Sequence, residues 1–390
     1  MLHRRQTTIF GAWTICILPR GQSFACECLN HQRTRHLTIA HINRIGTASP
    51  PHDVHESFKD FMIGSFKGEK ERRVFGRMAS RSGIDRRYSV LHKDGMVEAH
   101  SSQSGFYRRG AYPATAARMR IYEEKAPDLA ERAIGALDLK GDEDRITHLV
   151  VASCTGFVAP GIDQILARRL GLRPNLQRTV VGFMGCSAAI PALRIAQAAV
   201  LADPAARVLV VNVELCTLHL QETDDVQTAL SFLLFGDGCT AALITGDESG
   251  IALGDFLTTV IPESEDMITW HVGDHGFVMH LSGQVPSRIT QALREDAGGL
   301  LRGEGTQSID LWAVHGGGRT ILDAVQSGFN LAPNALNTSR DVLREFGNMS
   351  SATIMFVLSR MMASRDGKHG LAMAFGPGMV AETFRFTKLN

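Results

Sequence analysis

The stretch ITHLVVASCTG (146–156) decides the fold class of this chain. Residues 146–152 are predominantly apolar, as expected of a strand buried on both faces of a parallel sheet. A helix is predicted directly after it, over residues 161–170. A buried strand followed by a helix is the repeating unit of α/β proteins.

The same alternation continues on both sides of this stretch. Strands are predicted over 179–183, 207–213 and 239–244, the last after a turn at Gly236-Asp237-Gly238, with an alanine-rich helix over 187–202. In the second half, the buried strand IDLWAV (309–314) precedes three glycines and a helix that starts at Arg319. This pair of similar segments indicates an internal duplication. We therefore predict two similar halves, 39–247 and 248–390, with a boundary in GDESG.

Composition excludes several classes of protein. The 390 residues are 44% hydrophobic and carry 41 Lys plus Arg against 40 Asp plus Glu. The chain can therefore bury a large core, and its net charge of +1 gives no reason to expect nucleic acid as a partner. No apolar run approaches the roughly 18 residues of a membrane helix. Seven cysteines, an odd number in a long chain, favour a reducing, cytoplasmic location.

Residues 1–38 differ from the rest and are predicted to be a poorly ordered extension. A short apolar stretch at 9–18 follows Arg4 and Arg5, as in a signal peptide, but no suitable cleavage site follows. Two cysteines and two histidines lie here with the spacing C-x-C-x2-H-x4-H, which is not a standard zinc pattern. They are Cys26, Cys28, His31 and His36. We predict no metal site.

Three residues at element boundaries are candidates for chemistry. Cys186 lies where a strand meets a helix, and a helix N-terminus lowers the pKa of a thiol and makes it a better nucleophile. A small buried packing cysteine is an equally good interpretation of this segment alone. His315 ends a buried strand before three glycines, where α/β folds place their sites. Asn348 precedes an apolar helix over 350–362, where it either caps that helix or donates hydrogen bonds to a ligand.

A Cys–His–Asn set serves two chemistries. In papain-like proteases the cysteine lies near the mature N-terminus within C-G-[SA]-C-[WY], which MGCSA (184–188) in mid-chain does not match. In condensing enzymes His and Asn donate to a thioester oxygen while a malonyl group loses CO₂. The second chemistry fits the sequence.

Seven motifs make the chain resemble the type III polyketide synthases, the chalcone and stilbene synthase family. They are IGTASPP (45–51), FGRMASRSGIDRRY (75–88), GFMGCSAAIPALRIA (182–196), LFGDG (234–238), AVHGGGRTILDAV (313–325), FGNMSSATIMFVL (346–358) and AFGPGMVAET (374–383). The resemblance implies a thiolase-like αβαβα five-layer sandwich. It also implies a homodimer that uses acyl-CoA and malonyl-CoA as substrates and no metal or redox cofactor.

The resemblance also implies roles for individual residues. Cys186 would carry the growing chain, while His315 and Asn348 would bind the malonyl thioester, and Phe235 would be a gatekeeper. Arg77 and Arg81 match positions that bind CoA phosphates in relatives, although Val74 replaces a further lysine. The remaining pocket positions are Met279, Trp270, Cys154, Thr155, Cys216, His219 and Ser350. Trp270 replaces a cavity glycine, so we expect a pyrone, an alkylresorcinol or another short polyketide and not a chalcone.

Two alternatives remain at this point. One is an initiating ketoacyl synthase that performs a single condensation with acyl carrier protein. The other is a catalytically silent binding protein of the same fold. Cys186, His315 and Asn348 are all present, which weighs against the silent protein.

Overall fold

The computed structural model describes residues 38–92, 105–139, 141–301 and 303–389. The predicted extension, with Cys26, Cys28, His31 and His36, lies outside them. The strands are β1 (His41–Ala48), β2 (His52–Asp53), β3 (Tyr88–Ser89), β4 (His148–Ser153), β5 (Gln177–Gly182), β6 (Val208–Leu215), β7 (Asp237–Thr245), β8 (Ile251–Val260), β9 (Ile268–Gly273), β10 (Gly276–Leu281), β11 (Leu311–Val314), β12 (His369–Gly376) and β13 (Val380–Lys388). The helices are α1 (His55–Ser65), α2 (Glu69–Ala79), α3 (Thr115–Gly135), α4 (Ile162–Arg169), α5 (Ala189–Ala202), α6 (Val226–Leu234), α7 (Val285–Glu295), α8 (Ala297–Leu300), α9 (Arg319–Gly328), α10 (Asn337–Phe346) and α11 (Ala352–Ala363).

Two half-sheets of matching topology form the main sheet, in the order β11-β12-β13-β8-β1-β7-β6-β4-β5. In the first half β4 is parallel to β6, and β7 then runs antiparallel to both β6 and β1. In the second half β11 is parallel to β12, and β13 runs antiparallel to both β12 and β8. The halves meet where β1 pairs with β8. The prediction of two similar halves is confirmed.

Alternate residues of β4 face two different hydrophobic cores. Leu149 and Val151 pack with residues of α3 and α4, whereas Val150 and Ala152 pack with residues of α5 and α11. Side chains along a strand point alternately to opposite faces, so a sheet covered on both sides needs an apolar residue at every position. The strand predicted to be buried on both faces is therefore confirmed.

Five layers result from this packing. Helices α3 and α4 cover the outer face of the first half-sheet, and α5 and α11 lie between the two half-sheets. On the far side Trp312 and Val314 of β11 pack with residues of α7, α9 and α10. The predicted αβαβα sandwich is confirmed, and its central helices carry the site described below.

Two details differ from the sequence predictions. Gly236-Asp237-Gly238 is not a turn, because β7 already begins at Asp237. The Asp237 carboxylate accepts hydrogen bonds from the backbone N–H groups of Thr217 and Val90, which satisfies a buried acid inside the sheet. The predicted boundary near residue 247 lies between β7 and β8. Because β1 pairs with both strands, the halves share one sheet, and a division into domains there stays a prediction.

Among the described residues, one segment is long and apolar enough to span a membrane by length and composition alone. Gly185–Ala202 spans 18 residues with a mean hydropathy of 1.4. Half of it is buried inside the protein, where α5 packs between the half-sheets with Ile190 and Leu193 fully covered. Its apolar character is that of a core helix, because the surrounding strands already cover the apolar face.

Candidate active site

A tight loop between β5 and α5 presents Cys186. Phe183 and Gly185 adopt left-handed backbone conformations, with φ of 56° and 61°, and a short 3-10 turn, Gly185–Ser187, leads into the helix. A Cβ on residue 185 would lie 2.4 Å from Cδ of Pro377, so only glycine fits. The turn after β12 therefore packs directly against the loop of Cys186.

The Asn348 side chain lies beside the thiol of Cys186. Its Nδ2 lies 3.8 Å from the cysteine Sγ and 3.3 Å from the carbonyl oxygen of Gly317. Its Oδ1 accepts a hydrogen bond of 2.8 Å from the backbone N–H of Ser350 and lies 3.9 Å from the cysteine Sγ. The helix N-cap is Ser351, so Asn348 does not cap α11.

His315 is the first residue after β11, and its backbone is fixed on both sides. Its N–H donates to Met373 and its carbonyl accepts from Gly317. The ring is buried, yet neither ring nitrogen has a hydrogen-bond partner among the described residues. Burial lowers the pKa of His315 to about 4, so the imidazole is neutral at physiological pH. Unpaired buried nitrogens are costly to a fold and indicate a group kept free for a ligand.

Burial also raises the pKa of the Cys186 thiol, to about 11. Hydrogen bonds with Asn348 and Ser350 oppose this rise but do not cancel the loss of solvation. The predicted lowering of the thiol pKa is therefore wrong. A helix N-terminus stabilises the thiolate less than the closed pocket destabilises it. The nucleophile must be generated by transfer of its proton to a neighbouring base.

One cavity of about 70 Å³ brings the predicted site residues together. It contains the three candidate catalytic residues and every predicted pocket residue. Its lining includes Cys186, His315, Asn348, Phe235, Met279, Trp270, Cys154, Thr155, Cys216, His219 and Ser350. The chain has therefore built a small and closed site around the cysteine.

Trp270 occupies one wall of this inner cavity. Its indole Nε1 donates a 2.8 Å hydrogen bond to the carbonyl of Cys154, so the ring cannot rotate away without breaking that bond. Met279 lies directly opposite on the neighbouring strand β10. A fixed indole is consistent with the small volume of the cavity.

His219 is a structural and not a catalytic histidine. One ring nitrogen bonds to the Thr155 carbonyl at 2.7 Å, and the other accepts from the Phe277 N–H at 3.0 Å. Its ring also stacks on Phe277 with centroids 4.1 Å apart. Burial lowers the pKa of His219 to about 3, so the ring stays neutral. Both nitrogens are used, which leaves none for a substrate.

Glu214 is a buried acid of the site that the sequence analysis missed. Its carboxylate accepts hydrogen bonds from the Cys154 N–H, the Thr155 hydroxyl and the Ser351 hydroxyl. It thereby ties the end of β4 to the start of α11. Burial raises its pKa to about 7. The available signal was a glutamate inside the largely apolar strand VLVVNVEL (208–215).

A second, outer cavity of about 470 Å³ leads to the inner one. The two share Ser231, Leu281, Val285, Gly317 and Ile321. The outer lining contains two arginines and no carboxylate. These arginines are Arg81 and Arg319.

The predicted phosphate-binding positions are placed differently by the fold. Arg81 lines the outer cavity, whereas Arg77 lies in the last turn of α2 and is not part of the lining. Arg319, at the first position of α9, was not predicted. Within residues 38–92, 105–139, 141–301 and 303–389, no group of three His, Cys, Asp or Glu side chains is arranged to hold a metal ion.

Comparison with known families and proteins gives consistent matches. The profile of chalcone and stilbene synthases, N-terminal domain, matches residues 27–248, and that of the C-terminal domain matches residues 254–389. The "alpha-pyrone synthesis polyketide synthase-like Pks18" of Mycobacterium tuberculosis is 33% identical over 368 residues, covering 90% of this chain and 91% of the relative. Bisdemethoxycurcumin synthase of Oryza sativa subsp. japonica is 34% identical over 371 residues, covering 88% and 91%.

Solved structures agree with these sequence matches. PKS-I of the brown alga Ectocarpus siliculosus superposes with a TM-score of 0.81 at 30% identity, covering 90% of this chain and 98% of the other. The C-terminal type III polyketide synthase domain of Steely1 from Dictyostelium superposes with a TM-score of 0.78 at 24% identity, which supports the fold alone. The predicted thiolase-like fold is confirmed.

Proposed function

The chain belongs to the chalcone and stilbene synthase family and is a type III polyketide synthase, and from this premise we propose how its residues perform the reaction. Cys186 carries an acyl starter, His315 and Asn348 activate malonyl-CoA, and the extended chain then cyclises. The observation that carries this assignment is the meeting of these three side chains in one closed cavity.

Loading begins with a proton transfer. The Cys186 thiol is protonated at neutral pH and the His315 ring is neutral, so the histidine can accept the thiol proton. The resulting thiolate attacks the carbonyl carbon of the starter thioester. The C–S bond to CoA then breaks, CoA leaves as a thiol with the proton from His315, and the acyl group remains on Cys186.

Decarboxylation uses the two groups from the second half. With a neutral ring, His315 can donate one N–H to the malonyl thioester oxygen while Asn348 donates an Nδ2–H. When the C–C bond to the carboxylate breaks, its electron pair moves into the thioester and CO₂ leaves. The two donors stabilise the resulting enolate oxygen, and the closed cavity keeps water from protonating its carbon. The enolate carbon then attacks the acyl carbon, the C–S bond to Cys186 breaks to release the thiolate, and the extended chain remains on CoA.

CoA enters through the outer cavity. Phosphate groups pair well with guanidinium groups, and a lining with two arginines and no carboxylate carries the charge that such groups require. Arg319 also forms a long ion pair, 3.7 Å, with Asp323, whose carboxylate is engaged more closely by Arg340 at 2.7 Å. Arg319 therefore remains available to a ligand. We assign it, with Arg81, to the phosphate contacts and keep Arg77 as an outer contact.

The size of the inner cavity limits the product. About 70 Å³ beside a fixed indole leaves little space for a long intermediate. We therefore propose a pyrone or another short polyketide. The relative from Mycobacterium tuberculosis, whose name includes alpha-pyrone synthesis, supports the first of these.

A cytoplasmic homodimer completes the proposal. β5 is an edge strand of the main sheet, and Val180 on it is 58% exposed. Phe157 and Met184 are further exposed apolar side chains of the same half. An exposed apolar edge strand needs cover, and a second copy can supply it. No metal or redox cofactor is required by the steps above.

Product analysis by mass spectrometry tests the proposal. The purified protein receives malonyl-CoA with no starter, a short acyl-CoA, a long acyl-CoA or an aromatic acyl-CoA. We expect multiply extended products that are absent from the Cys186→Ala variant. A single condensation that requires malonyl-carrier protein would support the ketoacyl synthase alternative. No turnover by folded wild-type protein with either donor would support a silent binding protein.

A further inference from the structure

A buried arginine holds the C-terminal end of α6 next to the inner cavity. Arg87 is 1% exposed, and its Nη1 donates to the carbonyl oxygens of Phe232 at 3.1 Å and Phe235 at 2.5 Å. The last carbonyls of a helix have no partner within the helix and carry its negative dipole end. Arg87 therefore caps α6 and fixes where the chain leaves the helix.

Contacts on the other side hold Arg87 itself in place. Its Nε donates to Nδ1 of His55 at 3.1 Å, and its guanidinium lies 4.6 Å from the centre of the Phe58 ring. Burial lowers the pKa of His55 to about 3, so the ring remains a neutral acceptor. Asp53 and Asp237 are the acids whose charge acts on the guanidinium. Neither acid forms an ion pair with Arg87 within the described residues. The hydrogen bonds and the ring contact of Arg87 therefore fix the position of its side chain without pairing its charge.

The segment that Arg87 holds is paired with Asn348. The Asn348 N–H donates to the carbonyl of Leu234 at 2.8 Å, and the Gly236 N–H donates to the carbonyl of Asn348 at 3.0 Å. These two bonds join the backbones of Phe235 and Asn348 as a short parallel bridge. A shift of Phe235 therefore shifts Asn348 as well.

Arg87 also contacts the residue before Asn348. A Cβ on Gly347 would lie 2.8 Å from Cγ of Arg87, and Gly347 has a φ of 68°, so the arginine stem fills the space that a side chain there would need. One side chain thus touches both strands of the bridge. It fixes the gatekeeper Phe235 through hydrogen bonds and the Asn348 backbone through packing.

We propose that Arg87 is a positioning residue that sets the placement of the Asn348 amide and the Phe235 ring, so that malonyl decarboxylation depends on it. This inference rests on the proposed function of Asn348. A planar guanidinium can reach the two carbonyls and the His55 ring together, whereas a lysine ammonium on a flexible stem is a single point donor. Charge alone therefore cannot replace it.

The variant Arg87→Lys keeps the positive charge but removes the planar guanidinium group that reaches the two carbonyls and the His55 ring together. We expect the kcat of CO₂ release from malonyl-CoA to fall by about tenfold to a hundredfold, because displacement of a catalytic group by about 1 Å has effects of that size. The KM for malonyl-CoA should stay near that of the wild type, because the phosphate contacts lie elsewhere.

Arg118→Lys is the matched control. Arg118 is equally buried, and its guanidinium donates to the carbonyls of Leu218 and Leu220 and lies over the Tyr107 ring. Its carbonyl partners are not bonded to Asn348. A general loss of stability should therefore be similar in the two lysine variants, while the loss of decarboxylation is confined to Arg87→Lys.

The outcomes separate the inference from the proposed function. Equal decarboxylation kcat in the two lysine variants would overturn the role of Arg87. If Arg87→Lys does not fold, Arg87→Met carries the same test, since an apolar replacement leaves no unpaired buried charge. Wild-type kcat in a folded Arg87→Met protein would likewise overturn it. If wild-type protein releases no CO₂ from malonyl-CoA, the proposed function fails first.

Discussion

The ends of β4 and β11 occupy corresponding places in the two halves but hold their side chains in opposite ways. Cys154, the first residue after β4, donates its N–H to Glu214 and its thiol to Gly185, and its carbonyl accepts from Trp270. His315, the first residue after β11, has two ring nitrogens without a partner among the described residues. Within the described residues, the N–H, thiol and carbonyl of Cys154 all form hydrogen bonds, whereas the ring nitrogens of His315 form none. We call the first position bonded and the second open.

This difference shows how a duplicated scaffold acquires a site. Each half supplies a strand end and the start of a central helix, and only some of these positions keep free polar atoms. The first half contributes the thiol of Cys186 before α5. The second half contributes the ring of His315 and the amide of Asn348 before α11. We propose that the chemistry divides between a nucleophile from one half and hydrogen-bond donors from the other.

The largest effect is expected when Cys186 and Cys154, two of the four cysteines of the first half, are exchanged one at a time for alanine. Cys186→Ala should reduce condensation by about 10⁴-fold or more, because no other group can carry the acyl chain. Cys154→Ala should leave most of the activity, because its thiol only donates to the Gly185 carbonyl. Product formation measured by mass spectrometry separates the two. A larger loss of product formation in Cys154→Ala than in Cys186→Ala would contradict the assignment of Cys186 as the residue that carries the acyl chain.

The second-largest effect, on CO₂ release, is expected at His315, the open position of the second half. His315→Gln should lower CO₂ release from malonyl-CoA by about 10²-fold to 10³-fold, the cost of losing one donor to a developing oxyanion. The measurement is the kcat of decarboxylation for folded variant and wild type. A rate within experimental error of wild type would show that the His315 ring is not a donor.

The pH profile of wild-type loading provides a cross-check on this histidine. His315 must be neutral to accept the thiol proton, and burial places its pKa at about 4. Protonation below that value removes the acceptor, so loading should be maintained as pH falls and then decline near pH 4. An acid limb near about 6.5, the ordinary histidine value, would contradict the closed environment of the ring.

A smaller effect is expected at the outer cavity. Arg319→Ala should raise the KM for malonyl-CoA about tenfold, equivalent to about 1.4 kcal/mol, and leave kcat unchanged. The KM for the N-acetylcysteamine thioester of malonate, which has no phosphate, should be the same in Arg319→Ala as in the wild type. An equal KM change with both thioesters would exclude phosphate recognition by Arg319.

The smallest effect on rate, but a visible one on product, is expected from Trp270→Gly. Removal of the indole enlarges the inner cavity, so longer or differently cyclised products should appear in the mass spectrum. Trp270→Phe is the control, since it keeps most of the volume and loses only the hydrogen bond to Cys154. An unchanged product pattern in Trp270→Gly would mean that this wall does not limit chain length.

Much of the fold and the site followed from local patterns. The apolar run in β4 predicted a strand covered on both faces, and the glycines around Cys186 and after His315 marked the places where elements end. The family resemblance named Phe235, Met279 and Trp270, which all line the same cavity. The predictions of the strand and of the element ends succeeded because strand burial and loop glycines leave local traces in sequence.

Features that depend on distant contacts were missed or mistaken. Glu214 and Arg87 become important only when segments far apart in sequence bring them donors and acceptors. The pKa of Cys186 was placed on the wrong side of its ordinary value because burial by the opposite half outweighs the local helix terminus. Asp237 was assigned to a turn because its buried partners, Thr217 and Val90, lie elsewhere in the chain.

The proposal that one half supplies the nucleophile and the other the hydrogen-bond donors is tested most directly by CO₂ release from malonyl-CoA. Two variants, Cys186→Ala and Asn348→Ala, are compared with the wild type. The account predicts that Cys186→Ala still releases CO₂ and forms acetyl-CoA but makes no condensation product, because both donors of the second half remain. It predicts that Asn348→Ala releases CO₂ about 10²-fold to 10³-fold more slowly than wild type. Wild-type CO₂ release by Asn348→Ala, together with its loss in Cys186→Ala, would contradict the account.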